Sequence, residues 1–282
     1  MTGLTSDLHP ITGVAAGVPY LAVPPPGGAR PDAPVVIGWH LLDPPRTEAA
    51  FAAALPLAGL DAWRIYLGLP LAGSRGLPPD EIMRLGYEDV VANLYEPIAF
   101  GALAEFPAAL AELRQTLRLD ASPIGVFGGS MGAAVAQLVV LESEVEVGAA
   151  VLISPLIRLA DAVGEGEQIW GQAYQWTDAS RAVADRLDFL NRAAEFEKTG
   201  QPSLHIVIGA EDQSFYGSAH QLRDAVAQCY RDPSRVAITD IAGMGHALAD
   251  EPGIEPAPQT PHAAEVDRIV TSWFSEHLRP SA

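Results

Sequence analysis

The sequence has 282 residues, 49% of them hydrophobic, and a formal net charge of −18 at pH 7. This length suits one α/β domain with an elaboration, and the apolar content is sufficient for a large core. The negative charge argues against nucleic acid as a partner, since a polyanion binds to basic patches, and it disfavours binding to anionic membrane surfaces.

Three further features bear on the cellular location. No apolar run reaches the roughly 18 residues that a membrane-spanning helix needs. The segment Met1–Pro10 lacks the basic start and apolar stretch of a secretory signal. Cys229 is the single cysteine, so an intrachain disulfide cannot form. Together these features predict a cytoplasmic protein without membrane contact.

Apolar runs alternate with helical stretches along the chain, a pattern typical of a mainly parallel sheet with helices on both faces. The predicted strands are Gly17–Pro24, Val35–Trp39, Ala62–Leu69, Pro123–Gly128, Val147–Ile153, Leu204–Gly209 and Val236–Ile241. Helices are predicted within Thr47–Ala58, Asp89–Leu119, Met131–Leu141, Gln213–Tyr230 and Ala263–Leu278. Pro97 and Pro107 are expected to break or kink the second of these helices.

The strongest local signal is the GxSxG pattern of Gly128-Gly129-Ser130-Met131-Gly132. An apolar strand precedes it and a helix with small residues follows, which is the setting of a nucleophile elbow. Such a turn exposes the serine hydroxyl, and its flanking residues must be small because strand and helix approach closely. The alternative, a phosphate-binding glycine loop, is disfavoured because the motif lacks the P-loop lysine and lies in mid-chain.

A serine nucleophile needs a histidine base, and seven histidines are available. His246 follows the last predicted strand in a glycine-rich turn that could reach the elbow. Five other histidines lie in a strand, on helices or near the terminus: His9, His205, His220, His262 and His277. His40 directly follows the predicted strand Val35–Trp39. His246 is therefore the predicted base.

The base in turn needs an orienting acid, expected on the loop after the preceding strand. Asp212 lies three residues beyond Gly209, where that strand ends. Its neighbour Glu211 is the main alternative, because a one-residue shift of the strand end would exchange the two. Asp161, after an earlier strand, is a more distant candidate.

The chain resembles serine esterases of the α/β-hydrolase superfamily, which carry their triad in the order Ser, Asp, His. The segments that carry the resemblance are, in chain order, GGSMG, GAEDQSF and GMGHAL. The resemblance runs from about Val35 to Leu278. It implies a single α/β-hydrolase domain over residues 1–282, with Pro155–Gln201 inserted as a small helical cap. It also implies the triad Ser130, Asp212 and His246, with no metal and no cofactor.

The resemblance further implies an oxyanion hole of two backbone N–H groups. The N–H of Met131, directly after the nucleophile, is one predicted donor. Many members carry His-Gly after the first core strand, where this chain has Trp39-His40. Aligning the strand ends makes the N–H of Leu41 the second donor, with His40 as the alternative.

Aromatic residues in the proposed cap and near the motifs suggest an apolar substrate pocket. The candidates are Trp39, Trp170, Tyr174, Trp176, Phe215 and Tyr216. The alternative is that these aromatics simply pack the cap onto the core. The resulting hypothesis is a carboxylic ester hydrolase that acts on small apolar esters through an acyl-enzyme. A peptidase, amidase or acyltransferase with the same triad, and a non-catalytic binding protein, remain alternatives.

Overall fold

The strands of the protein form one sheet in a computed structural model. The structure describes residues 10–120, 123–171 and 173–278, except for the side chains of residues 168–170. The strands are β1 Ile11–Ala15, β2 Val18–Val23, β3 Val35–Trp39, β4 Trp63–Leu67, β5 Ile124–Gly129, β6 Val147–Ile153, β7 Ser203–Gly209 and β8 Val236–Ile241. Their order across the sheet is β1-β2-β4-β3-β5-β6-β7-β8.

The sheet is mainly parallel, as the sequence predicted. β1 pairs with β2 and β2 with β4 in antiparallel fashion, while every other neighbouring pair is parallel. All parallel strands therefore present their carboxyl ends at one edge of the sheet. Ligands of open α/β sheets bind at this edge, so it is where a functional site is expected.

Helices cover both faces of the sheet. They are α1 Glu48–Ala54, α2 Pro79–Val90, α3 Glu96–Leu117, α4 Met131–Glu142, α5 Leu159–Trp170, α6 Asp178–Arg186, α7 Tyr216–Cys229 and α8 Pro261–His277. Apolar residues of α1 and α8 pack in one core, and those of α3, α4 and α7 pack in the other. Within the residues described, no helix is both long and apolar enough to cross a membrane.

The continuous apolar runs of the central strands follow from burial on both faces. In β3, Val35, Ile37 and Trp39 belong to one core, while Val36 between them belongs to the other. Alternate side chains of a strand point to opposite faces, so a sheet covered on both sides needs apolar residues at every position. This requirement made the central strands recognisable from sequence.

The segment near the N-terminus differs from the prediction. β1 was not predicted, and it forms a hairpin with β2 through a two-residue turn at Ala16 and Gly17. Both turn residues have positive φ, 47° and 88°, as two-residue hairpins require. β1 was missed because it is an edge strand whose residues are largely exposed.

The helical region before the elbow also differs from the prediction. α2 begins at Pro79, before the predicted helical stretch Asp89–Leu119, and the helical backbone is interrupted at Asp89. A short π-helical segment, Val91–Tyr95, then leads into α3. Pro97 lies in the first turn of α3, where proline is well tolerated. Pro107 lies inside α3, which runs on to Leu117, so neither proline ends the helix.

Candidate active site

Ser130 lies at the sharp turn between β5 and α4. Its backbone has φ 49° and ψ −114°, a region that residues with a side chain rarely adopt. The Ser130 N–H donates to the carbonyl oxygen of Ile153 in the neighbouring strand at 2.9 Å. Strain of this kind persists only where the surrounding structure holds it, and such positions cluster at functional sites.

The glycines of the motif are required by close contacts across the turn. A methyl group on Gly128 would collide with the backbone of Gly132, and one on Gly132 would collide with the carbonyl oxygen of Trp39. A methyl group on Gly129 would meet the side chain of Leu41. The elbow is thus closely packed against the segment that follows β3.

Replacing Gly132 by alanine is expected to destabilise the protein by about 1–3 kcal/mol, because the added methyl group overpacks a rigid backbone contact. The matched control is Gly164→Ala in α5, where a Cβ would meet nothing within 4 Å. Alanine is the better helix former at both sites, so the control should be neutral or slightly stabilised. Urea unfolding measures both changes. Equal stability of the two variants would contradict the close contact at the elbow.

Three predicted residues from three loops meet at the carboxyl edge of the sheet. Nε2 of His246 lies 2.9 Å from Oγ of Ser130, and Nδ1 lies 2.7 Å from Oδ2 of Asp212. Ser130 follows β5, Asp212 follows β7 and His246 follows β8. The carboxylate of Asp212 can only accept, so Nδ1 carries the proton and Nε2 accepts from the serine hydroxyl. This arrangement can deprotonate a serine as it attacks.

The electrostatic surroundings of His246 favour its protonated form. Burial of the ring lowers its pKa, but the hydrogen bond and the charge of Asp212, with smaller contributions from Asp43 and Glu165, raise it above the ordinary value. Asp212 is itself buried. An imidazole that gains a proton during a reaction would be stabilised by this environment.

Neither alternative acid contacts His246 in the described chain. Glu211 is exposed, and its backbone N–H donates to the carbonyl oxygen of Met244 at 3.0 Å. Asp161 lies in the first turn of α5, 3.6 Å from Nη1 of Arg158. The geometry therefore favours Asp212 over both.

The His40 ring joins the segment after β3 to the segment after β4. Its Nδ1 lies 2.6 Å from the carbonyl oxygen of Leu41, and its Nε2 lies 3.4 Å from the N–H of Leu69. The carbonyl accepts and the N–H donates, so the ring is neutral with its proton on Nδ1. Burial lowers its pKa, which agrees with a neutral ring. The His40 side chain is therefore engaged and does not point a free donor at the substrate.

The two predicted oxyanion donors belong to this closely packed region. Met131 is the first residue of α4, and the first N–H groups of a helix have no partner within it. Leu41 is fully buried, with its side chain beside Gly129. The assignment of the Met131 and Leu41 N–H groups as oxyanion donors stays a prediction.

The predicted pocket aromatics separate into different environments. The Phe215 ring lies 5.0 Å from the ring of His246, beside the three assembled residues. Trp39 is only 1% exposed and packs edge-to-face on Phe106, with ring centroids 5.3 Å apart. Burial in β3 places the Trp39 ring in the core, and its assignment to the substrate pocket stays a prediction.

Tyr174 and Trp176, from the segment predicted to form a cap, contact each other and the body of the protein. Tyr174 and Trp176 pack edge-to-face at 4.8 Å, and the Tyr174 hydroxyl donates to Asp89 at the interruption of α2. These contacts match the alternative in which they pack the cap onto the core. Tyr216 donates to Asp240 of β8. The side chain of Trp170 lies outside the described residues.

Two acidic residues that sequence reasoning missed lie near His246. Oδ2 of Asp43 is 3.7 Å from Nε2 of His246. Glu165 of α5 accepts from the Ser214 hydroxyl at 2.8 Å. No local pattern marks either residue, since each reaches the site only through tertiary packing. Nowhere in the described chain do three or more His, Cys, Asp or Glu side chains form a group that could hold a metal ion.

No family model and no curated protein matches the sequence. Solved structures do match. TT1662 from Thermus thermophilus has a TM-score of 0.68 at 18% identity, over 95% of this chain and 97% of that one. Carboxyl esterase 2 from Tuber melanosporum has a TM-score of 0.61 at 15% identity, over 99% and 89%. Pyrococcus horikoshii acylaminoacyl peptidase has a TM-score of 0.65 at 12% identity, over 97% of this chain but 42% of that one.

Proposed function

We propose, from the premise that this chain has the α/β-hydrolase fold, that it is a serine hydrolase acting on small apolar carboxylic esters. One observation carries the proposal. Asp212, His246 and Ser130 are connected by two consecutive hydrogen bonds, and the Ser130 backbone adopts the strained conformation of a nucleophile elbow. The known proteins of similar fold include both esterases and peptidases.

The first step forms an acyl-enzyme. Ser130 Oγ attacks the substrate carbonyl carbon, and its proton passes to Nε2 of His246. The imidazolium, held by Asp212, then donates that proton to the leaving oxygen as the carbon–oxygen bond breaks. The neutral alcohol departs and the acyl group stays on Ser130.

The second step releases the acid. A water molecule loses a proton to His246 Nε2 as it attacks the acyl carbonyl carbon, and the imidazolium returns the proton to Ser130 Oγ. The negative charge on the carbonyl oxygen develops in both steps. In this proposal the N–H groups of Met131 and Leu41 stabilise that charge, and removing one such donor typically lowers the rate by about 10²–10³.

Two observations favour an ester with apolar groups. Phe215 places an apolar ring beside His246, and an ester has a better leaving group than an amide. The likeness to an acylaminoacyl peptidase makes amide hydrolysis the second candidate. A panel of p-nitrophenyl esters of increasing chain length, assayed beside the matching p-nitroanilides, separates the two. A preference for the anilides would indicate that the protein is a peptidase that uses the same three residues, and not an esterase.

Covalent labelling with a fluorophosphonate tests the proposal directly, since this probe reacts with an activated serine. We expect one adduct per chain, located on Ser130 by peptide mass spectrometry and absent from Ser130→Ala. The matched control is Ser272→Ala, which removes an exposed serine of α8 away from the site. A chain that takes no label in its folded state would be a binding protein and not a serine hydrolase.

A further inference from the structure

Asp43 lies on the Nε2 side of the His246 ring, the side that faces Ser130. Nδ1 of His246 is bound to Asp212, while Oδ2 of Asp43 lies 3.7 Å from Nε2. Nε2 is the atom that would exchange a proton with Ser130 and then with the leaving group. Asp43 therefore lies beside the reacting atoms, on the side opposite the orienting acid.

The backbone fixes this placement. Asp43 lies within the loop after β3, which is hydrogen-bonded to the loop after β8. Leu248 N–H donates to the carbonyl oxygen of Pro44 at 3.0 Å, and Arg46 N–H donates to that of Gly253 at 2.7 Å. These bonds follow Asp43 on its own loop and follow His246 on the other. The proximity of the two side chains is thus built into the backbone.

The carboxylate of Asp43 remains available to a substrate. Its side chain is 53% exposed, and the catalytic imidazole is the basic group that lies within ion-pair distance. The nearby basic residue Arg46 is instead paired with Glu251 at 2.9 Å. A carboxylate that stays open to solvent beside Nε2 can therefore act on whatever group occupies that space.

Among the described residues, the charges that act on the His246 ring and on the nearby Tyr95 hydroxyl are those of acidic side chains. Asp212 and Glu165 face His246 together with Asp43. Tyr95, from the segment before α3, faces Asp43 and Glu165, and burial, followed by these two charges, raises the pKa of its hydroxyl. The environment of the departing group is thus one of negative charge.

We propose that Asp43 is a specificity-determining residue that selects substrates whose leaving group carries a positive charge, such as the ester of an amino alcohol. The inference rests on the proposed function, because it needs His246 Nε2 to protonate the leaving group. When the bond to the acyl carbon breaks, the leaving atom takes the proton from Nε2 and lies close to Asp43. A cationic substituent there is attracted, and an anionic one is repelled.

Three thioacetates matched in the acyl group test this inference: those of 2-(trimethylammonio)ethanethiol, of its uncharged tert-butyl isostere and of 2-mercaptoethanesulfonate. We expect kcat/KM to be highest for the cationic ester and lowest for the anionic one. Asp43→Asn should reduce the preference for the cationic ester over its neutral isostere by about fivefold, the upper range for a solvent-exposed charge pair. The discrimination against the anionic ester should weaken by a similar factor.

The pH profile is a second readout that altered folding would not produce. Removing the negative charge of Asp43 disfavours the imidazolium, so the pKa of His246 falls and its basic form persists to lower pH. The acidic limb of kcat/KM for the neutral ester should therefore move down by about half a pH unit. Asp32→Asn, which removes an exposed carboxylate before β3 at the other end of that strand, is the matched control and should change neither readout.

The wild-type protein gives an independent measurement if Asp43→Asn does not fold. Its preference for the cationic ester should decline as ionic strength rises from about 0.02 M to about 0.5 M, because salt screens an exposed charge. A preference that is unchanged by salt, or by Asp43→Asn in a protein whose hydrolysis still requires Ser130, would overturn this inference and leave the proposed function standing. Failure of all three hydrolyses together with failure of fluorophosphonate labelling would overturn both.

Discussion

Replacing Ser130 by alanine is expected to lower kcat for ester hydrolysis by about 10⁵–10⁶-fold, because the attacking oxygen is lost. Without Oγ, Nε2 of His246 loses its hydrogen-bond partner at 2.9 Å, and no acyl-enzyme can form. The residual rate should show no burst of p-nitrophenol in a rapid-mixing assay.

The fold should survive this change, since alanine is smaller and meets the same backbone requirement at φ 49°. Thermal unfolding of Ser130→Ala should therefore stay within a few degrees of the wild type. Ser272→Ala provides the activity control, with turnover unchanged. Wild-type turnover in Ser130→Ala would falsify the proposed mechanism, whatever the other variants do.

Asp212→Asn is expected to lower kcat by up to about 10⁴-fold while Ser130 remains in place. The carboxylate accepts the proton of His246 Nδ1 at 2.7 Å, which leaves Nε2 free to act as the base. An amide in its place can donate to Nδ1 and so favour the wrong tautomer. Steady-state kinetics with a p-nitrophenyl ester measures the loss.

Glu211→Gln is the matched control for this variant. The two acids are adjacent in the chain, but Glu211 is exposed and Asp212 is buried against His246. We expect the control to change kcat by less than tenfold. If Glu211→Gln were the inactive variant, the orienting acid would be one residue earlier than the structure indicates. If Asp161→Asn were the inactive variant instead, the acid would come from the first turn of α5, the helix that follows β6.

Strands buried on both faces were predicted well from the sequence. β3 and β6 have the bounds that were predicted, Val35–Trp39 and Val147–Ile153. A short apolar run of this length, bounded by turn residues, is typical of a buried strand. β1 was missed because an edge strand with exposed residues leaves no such pattern. The start of α2 was missed because that helix buries none of its residues.

The candidate triad was also accessible from sequence, because each member follows a recognisable strand in a parallel sheet. The choice between Asp212 and Glu211 depends on the backbone after Gly209, where the Asp212 N–H folds back onto the Gly209 carbonyl oxygen at 3.1 Å. The aromatic residues were harder to assign, since a tryptophan that packs in the core and one that lines a pocket look alike in sequence. Burial then decided the position of Trp39.

The sequence by itself determined the parallel α/β architecture, the elbow at Ser130 and the order of the candidate triad. These features can be read from local sequence patterns. The patterns are the apolar runs of buried strands, the small residues at the turn, and the position of each candidate residue after the carboxyl end of a parallel strand. Only the tertiary structure decided that His40 joins the loop after β3 to Leu69 and that Asp43 lies beside His246. Such contacts join residues far apart in the chain, and their distances follow from how two loops are hydrogen-bonded to each other, which no local pattern encodes.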